Sequence, residues 1–516
     1  MKILNKIISL LIFAVFSLSC GPGSEITADH KPNIIYILAD DLGYGELGCY
    51  GQGIIETPNL DQLAATGMQF MQHYTGAPVC APARCTLLTG KHSGHAFVRG
   101  NDEWRERGEV WDFAAMFNDP KLEGQRPIPD EEITVAELLK KAGYINGCVG
   151  KWGLGAPETE GVPNRQGFDF FYGYNCQRQA HTLYPMHLWK NEERDLLNNK
   201  MVAPKTKLAE GADPNDSASY TNYRLDDYAP TLMHDEALNF IKSNHESPFF
   251  LYYASPLPHV PLQAPRRWVD YYRNKIGPEE PYIGDQGYFP CQYPRATYAA
   301  MISYLDEQVG DLMSILKSLE IHDHTLVIFS SDNGPTYTGG ADTRFFDSAR
   351  PFKTEYGWGK GFVHEGGIRV PMIATWPGHI EAGSKSDLVS CFIDVLPTFC
   401  DVAQVEKPQN IDGISFLPTL LNEGNQDLHE YLYWEFPEYK GQQALRMGNY
   451  KAIRKNIQEG NLEIELYDLS LDIQETNNVA HENPELIEKI RSILDQEHIQ
   501  ATTQRFWMKA LGDTSG

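Results

Sequence analysis

Two acidic pairs stand where two apolar runs end. Asp40-Asp41 follows the run Asn33 to Ala39, and Asp332-Asn333-Gly334 follows Phe329-Ser330-Ser331 at the close of the run from Thr325. In open α/β sheets ligands gather at the carboxyl ends of strands. Two such pairs could therefore converge on one hard cation, and carboxylate and amide oxygens favour calcium or magnesium over softer metals. Each pair alone favours instead a turn with a helix cap, where Asp and Asn are common. His259 lies in Pro258-His259-Val260-Pro261. Flanking prolines hold its backbone extended, which suits either a fixed proton-transferring side chain or a loop histidine with a structural hydrogen bond. Lys151 and Lys360 occur in Gly150-Lys151-Trp152-Gly153-Leu154-Gly155 and Gly359-Lys360-Gly361, where glycines let backbone approach a ligand closely. Lys151 by itself reads as a solvated lysine, and Cys80 by itself as a buried, inert thiol.

The run Cys80-Ala81-Pro82-Ala83-Arg84-Cys85-Thr86-Leu87-Leu88-Thr89-Gly90 resembles the signature of the formylglycine-dependent sulfatases of the alkaline phosphatase-like superfamily. That signature is C-x-P-x-R, then an apolar pair and Thr-Gly. The resemblance implies that a formylglycine-generating maturation enzyme oxidises Cys80 to an aldehyde. One hydroxyl of its hydrate attacks sulfur, and the other later ejects sulfate, which is covalent catalysis with a built-in release step. Asp40, Asp41, Asp332 and Asn333 match the ligands of a divalent cation, usually calcium, with modified Cys80 completing the site. Arg84 matches the arginine that holds the hydrate, and Lys151 the lysine that contacts sulfate. Lys360, before Glu365-Gly366-Gly367-Ile368-Arg369-Val370-Pro371, matches the lysine bridging a sulfate oxygen and the leaving group. His259 matches the histidine near the bridging oxygen, able to protonate the leaving alcohol. Gly153 departs from the family, since many members carry a histidine there that touches the hydrate. Asn175-Cys176-Gln177-Arg178-Gln179-Ala180-His181 reads as a substrate-facing loop, with His181 either filling the space at Gly153, binding sugar, or serving as an ordinary loop histidine.

These side chains need a scaffold that brings distant segments together. Asn33 to Ala39 has the length and continuous apolarity of a strand buried on both faces. Thr134-Val135-Ala136-Glu137 opens a helix with a capping box that stops at Gly143, and Tyr144 to Val149 reads as a strand. Tyr298, Met301, Ile302, Leu305, Val309, Leu312, Leu316 and Leu319 recur at helical spacing, and Thr325 to Phe329 follows as another buried strand. This alternation predicts an α/β fold with a large, mostly parallel sheet flanked by helices. Lys407 to Leu428, rich in Pro, Gly, Asn and Gln, reads as a connection between a catalytic domain (31–406) and a smaller α+β subdomain (429–516). There, Ala444 to Ile453 and Glu465 to Leu469 alternate like antiparallel strands, and Pro484 to about Gln500 reads as a closing helix. The tail resembles the sulfatase C-terminal subdomain, with Ile473 in place of an expected proline.

At 516 residues the chain exceeds one ordinary core, which suits two domains. A net charge of −25 argues against nucleic acid and anionic membrane surfaces as partners. A site for a sulfate ester must then be a local cationic focus, which Arg84, Lys151, Lys360 and a divalent cation would form. Lys2 and Lys6 precede a short apolar run from Ile7 to Leu18, which predicts an export signal in residues 1–20 and a periplasmic or cell-surface protein. Cys20 after Ser17-Leu18-Ser19 reads as a lipoprotein anchor or as incidental to an ordinary signal. The other eight cysteines show neither C-x-x-C nor zinc spacing. The resemblance predicts a hydrolase of sulfate esters, with a sulfated saccharide as substrate. The alternatives are a phosphate monoester or phosphonate hydrolase on the same fold, which would want a Ser or Thr nucleophile or extra histidine ligands, and a non-catalytic glycan-binding protein on a decayed sulfatase fold.

Overall fold

In the computed structural model, which describes residues 31–514, ten strands form one sheet. Across it run Ser384–Ser386, Met68–Phe70, Met372–Thr375, Thr325–Ser331, Asn33–Ala39, Phe249–Ala254, Ile145–Lys151, Phe170–Tyr174, His187–Lys190 and Glu193–Leu196. The five from Thr325–Ser331 to Phe170–Tyr174 pair in parallel. Met372–Thr375 and His187–Lys190 run against their neighbours. The expected α/β architecture is thus found, with antiparallel members away from the centre. The sequence-derived export segment and Cys20 lie outside the described residues. Among those described, no helix is long and apolar enough to cross a membrane.

Strand Asn33–Ala39 shows why the sheet is covered twice. All seven of its residues are buried, and successive side chains point to opposite faces. Ile34, Tyr36 and Leu38 enter one core with helices Cys80–Thr89, Val135–Lys141 and Val395–Ala403. Ile35, Ile37 and Ala39 enter another with Ala229–Asn244 and the 25-residue helix Pro294–Ser318. Thr134 caps the helix it precedes, with the reciprocal Glu137 bond of a capping box.

The register aims the site. Ala39 pairs with Ser331 and Leu38 with Ala254, so Asp40-Asp41 and Asp332-Asn333 leave the sheet at the same end. The Asp332 amide donates to the Ala39 carbonyl (3.0 Å) and the Asp40 amide to Leu257 (2.9 Å), joining both acidic turns to the segment before His259. Gly150 pairs with Ala254, which puts Lys151 at that end too.

Beyond residue 429, Leu432–Phe436, Gln442–Met447, Tyr450–Lys455 and Glu465–Asp468 form a separate antiparallel sheet. Helix Pro484–Gln496 covers it through Ile490 and Leu494, which pack with Leu445 and Leu466. Lys451 ties this sheet to the rest. Its ammonium lies 2.9 Å from both Glu365 and Glu475, and none of the three side chains is more than 1% exposed. Glu365 also accepts from Tyr74 (2.7 Å) and Arg369 (3.0 Å).

Candidate active site

Cys80 is the first residue of helix Cys80–Thr89, all ten residues of which are buried. The positive end of a helix dipole therefore faces the site. The helix stops at Gly90, whose left-handed φ of 69° lets its amide close on Thr86. The Cys80 Sγ lies 3.3 Å from Asp40 Oδ1, 3.4 Å from Lys151 Nζ and 3.6 Å from Lys360 Nζ. Lys151 bonds Asp40 Oδ2, and Lys360 Nζ stands 2.7 Å from Asp41 Oδ1. Arg84 holds Asp332 Oδ2 (2.8 Å) and the Lys151 carbonyl. Residues up to 280 positions away from Cys80 thus meet on its sulfur.

Three buried carboxylates here face three basic side chains, so the protein's own formal charges cancel. Burial pushes the Asp41 and Asp332 carboxyls up, and nearby Asp40 adds to this at both. Burial acts likewise on Asp40, but Lys151, then His259, Arg84 and Lys360, hold it well below the usual carboxylate range. Burial lowers Lys360, yet Asp41, Cys80 and Asp40 keep its ammonium well above the ordinary lysine value. Repulsion among buried carboxylates is relieved by a cation. Asn333 adds a donor: its Nδ2 serves Asp41 Oδ1 (2.8 Å), while its buried Oδ1 has no protein partner. Carboxylate and amide oxygens of this kind fit calcium or magnesium. Potential ligand atoms of Asp40, Asp41, Cys80 and His259 lie within 4.8 Å of one another. Asp332 sits beside them with Oδ1 accepting the Asp41 amide (3.1 Å).

The His259 Nδ1 bonds the Val260 carbonyl, so it carries a proton and Nε2 is the nitrogen facing Asp41 Oδ2, at 3.7 Å. Burial, then Lys151 and Lys360, push its pKa well below the ordinary histidine value. His181 lies on His259 in a stacked pair, with centroids 5.7 Å apart. It does not fill the space at Gly153. A Cβ there would meet Gln125 Oε1 at 3.1 Å and Gln177 Oε1 at 3.3 Å. The expected loop at 175–181 is instead mostly a buried 3-10 turn, and His181 is its cleft-facing end.

Sequence reasoning missed Tyr288, whose ring lies 5.0 Å from His181 and 6.0 Å from His259. It also missed Trp111, Lys205 and Tyr439, which line the cleft beside Lys360. No motif marks these residues, because loop walls are set by tertiary packing. A second cluster, His92, His95 and Asp412, also gathers potential ligand atoms. There the Gly94 amide donates to His92 Nδ1 (3.1 Å), which puts the neutral ring's proton on Nε2, toward Glu497 (3.0 Å). With His95 Nδ1 also on Asp412 (3.0 Å), this group is held here as a hydrogen-bonded clasp onto the end of the closing helix.

Residues 32–405 match the family model described as Sulfatase, and residues 354–504 one described as N-sulphoglucosamine sulphohydrolase, C-terminal. The chain is 33% identical to Arylsulfatase A of Homo sapiens, over 84% of this chain and 77% of that protein. It is 27% identical to N-acetylgalactosamine-6-O-sulfatase of Bacteroides thetaiotaomicron, over 96% of this chain and 99% of that protein. Among solved structures it is similar to Ps i-CgsB, with a TM-score of 0.70 and 28% identity, over 92% of this chain and 94% of that one. A complex of Ps i-CgsB with k-i-k-neocarrahexaose matches at 27% identity and the same TM-score, 0.70. The chain belongs to the sulfatase family of the alkaline phosphatase-like superfamily and is a sulfuric ester hydrolase.

Proposed function

We propose that this sulfatase is exported and removes sulfate from a saccharide, with Cys80 matured to formylglycine and a divalent cation, calcium or magnesium, held by Asp40, Asp41, Asp332, Asn333 and the modified Cys80. The observation that carries this reading is the setting of the Cys80 sulfur among Asp40, Lys151 and Lys360. Burial, with Asp40 adding to it, pushes that thiol well above its ordinary value, so unmodified Cys80 is a poor nucleophile. Maturation supplies a hydrated aldehyde, one hydroxyl of which attacks sulfur. The cation, when bound, supplies charge neutralisation at the sulfate oxygens.

The remaining work falls to the chain's own groups. Lys151 and Lys360 hold the transferring sulfuryl group against Cys80, where preorganised positive charge favours the charge that develops. Arg84 fixes Asp332 and, through the Lys151 carbonyl, the strand end that carries Lys151. As the bond from sulfur to the sugar oxygen breaks, that oxygen takes a proton from the Lys360 ammonium, or from His259 Nε2 once the incoming anionic substrate has drawn a second proton onto the ring. His181 borders the sugar. The names of the N-acetylgalactosamine-6-O-sulfatase relative and of the neocarrahexaose complex support a saccharide substrate. The lysines and apolar run before Cys20 support export, with a lipid anchor at Cys20 as the membrane attachment.

The test joins two measurements on one preparation. Sulfate release is followed on defined sulfated mono- and disaccharides, and the Cys80 peptide is read by mass spectrometry. Activity should track the aldehyde-bearing fraction. Full activity with Cys80 still a thiol would sink the proposal.

A further inference from the structure

Beside Lys360 the site opens into a cleft walled by Trp111, Lys205, Tyr288, Tyr356 and Tyr439. Three of the rings are substantially open: Trp111 is 38% exposed, Tyr439 52% and Tyr356 68%. Rigid, amphipathic rings with one wet side are the usual wall of a site for a partly apolar, hydroxyl-rich ligand.

The backbone of this cleft is under strain. Lys205 (φ 66°), Tyr288 (φ 61°) and Tyr439 (φ 51°) all occupy the left-handed region, as does Asp41 (φ 66°), the partner of Lys360. Such residues are held against a conformational cost and collect at ligand clamps and active sites. The fold holds them in place. The Leu208 amide donates to the Ile283 carbonyl (3.0 Å), tying the Lys205 loop to the Tyr288 loop. Val202 and Leu208 pack on a small core of Tyr220, Tyr223 and Phe289 beneath both. The Tyr439 ring packs on Phe362 and Phe436.

Charge gives the cleft its selectivity. Arg178 and Lys205 both lie over the Trp111 ring, at 5.5 and 5.1 Å. Arg178 spends its guanidinium on the carbonyls of Glu103, Leu122 and Gly124. Lys205 is exposed, and among the described residues no carboxylate pairs with it. A protein of net charge −25 thus holds an uncompensated ammonium on the wall of the cleft that opens from its nucleophile.

We infer that Lys205 reads a second anionic group, a carboxylate or another sulfate, on the saccharide that presents its first sulfate to Cys80. This rests on the saccharide sulfatase reading above. The preferred substrate is then at least doubly anionic, with its ring against Trp111 and its second charge on Lys205.

The test uses the full chain carrying Cys80→Ser, so that binding is measured without turnover, in calcium-containing buffer. Three disaccharide probes are titrated calorimetrically. One is a monosulfated carrageenan disaccharide with no other anion, one its disulfated counterpart, and one a chondroitin disaccharide with one sulfate and one uronate. A doubly anionic probe should bind about three- to fivefold more tightly than the singly anionic one, the size expected of an exposed ion pair. That ratio should fall to about one in Lys205→Met and shrink between about 50 mM and about 500 mM salt. Trp111→Ala should weaken all three probes together. Preference for the disulfated probe or the uronate probe identifies the second anion. Equal binding of all three, or a preference that survives Lys205→Met, overturns the inference while leaving the saccharide reading intact. No measurable binding of any probe, with no sulfate released from them by the Cys80 enzyme, overturns both.

Discussion

His259 and Lys360 share one carboxylate. Lys360 Nζ is 2.7 Å from Asp41 Oδ1, and His259 Nε2 is 3.7 Å from Asp41 Oδ2. Both candidate acids therefore face one point beside Cys80, Lys360 as an ammonium and His259 through a nitrogen that must first be protonated, and substrates that differ in leaving group can tell them apart. A sugar alkoxide needs protonation, whereas a nitrophenolate hardly does. If His259 gives the proton, His259→Ala should lower kcat/KM on a sulfated sugar by about 10²–10³-fold. On 4-nitrophenyl sulfate the loss should stay well under that. Equal losses on the two substrates would place His259 in sulfate binding and leave Lys360 as the acid.

The buried carboxylates make a direct prediction about cations. Calcium should raise the melting temperature of the wild type, since binding to the folded state alone stabilises it by mass action. Asp41→Asn should abolish both turnover and most of that rise. Identical melting curves with calcium and with chelator would count against the cation reading.

Gly153 is not a vacant histidine position. Its φ of 85° is left-handed, and a Cβ would press on Gln125 and Gln177. Gly153→His and Gly153→Ala should both lower stability by about 1–2 kcal/mol, the cost of forcing a side chain into this conformation. Neither should raise the rate of sulfate release. A Gly153→His enzyme that is faster and equally stable would show that the two glutamines yield readily.

A pH effect on stability is expected at Asp306. Its carboxylate accepts the amides of Asn59 (3.2 Å) and Leu60 (2.7 Å), capping a helix from across the core. Burial nonetheless raises it from 3.8 to about 6. Between those values the folded protein holds more proton than the unfolded chain. The contribution of Asp306 to stability therefore falls as pH rises through that window and levels off above it. The melting temperature of the wild type minus that of Asp306→Asn should decline from about pH 4 to about pH 6 and then flatten. A difference independent of pH would refute the assignment.

Much of the site was legible because its residues sit at places with local signatures. Asp40 and Asp332 end apolar strands, Cys80 opens a helix closed by Gly90, and His259 lies between prolines. Strand Asn33–Ala39 and the capping box at Thr134 were readable for the same reason: burial on two faces and a reciprocal cap leave their mark in a few adjacent residues. Trp111, Lys205, Tyr288 and Tyr439 leave no such mark. They come from loops whose place depends on contacts such as Leu208 with Ile283, which no local pattern encodes. The fate of His181 was likewise hidden, because its stacking on His259 depends on how two unrelated segments meet.

The hairpin tip that carries Tyr439 belongs to the smaller sheet, yet it borders a cleft whose reacting groups come from the strand ends, helix and loop of the larger sheet's layer. One wall of the cleft is thus written in a different stretch of the gene from the bond-cleaving groups and from Lys205 and Trp111. Recombination that replaced the segment from residue 429 onward would exchange one wall of the cleft and spare Cys80, Lys151 and Lys360. The tether from Lys451 to Glu365 limits which replacements succeed, because an incoming segment must bring its own buried cation to meet Glu365.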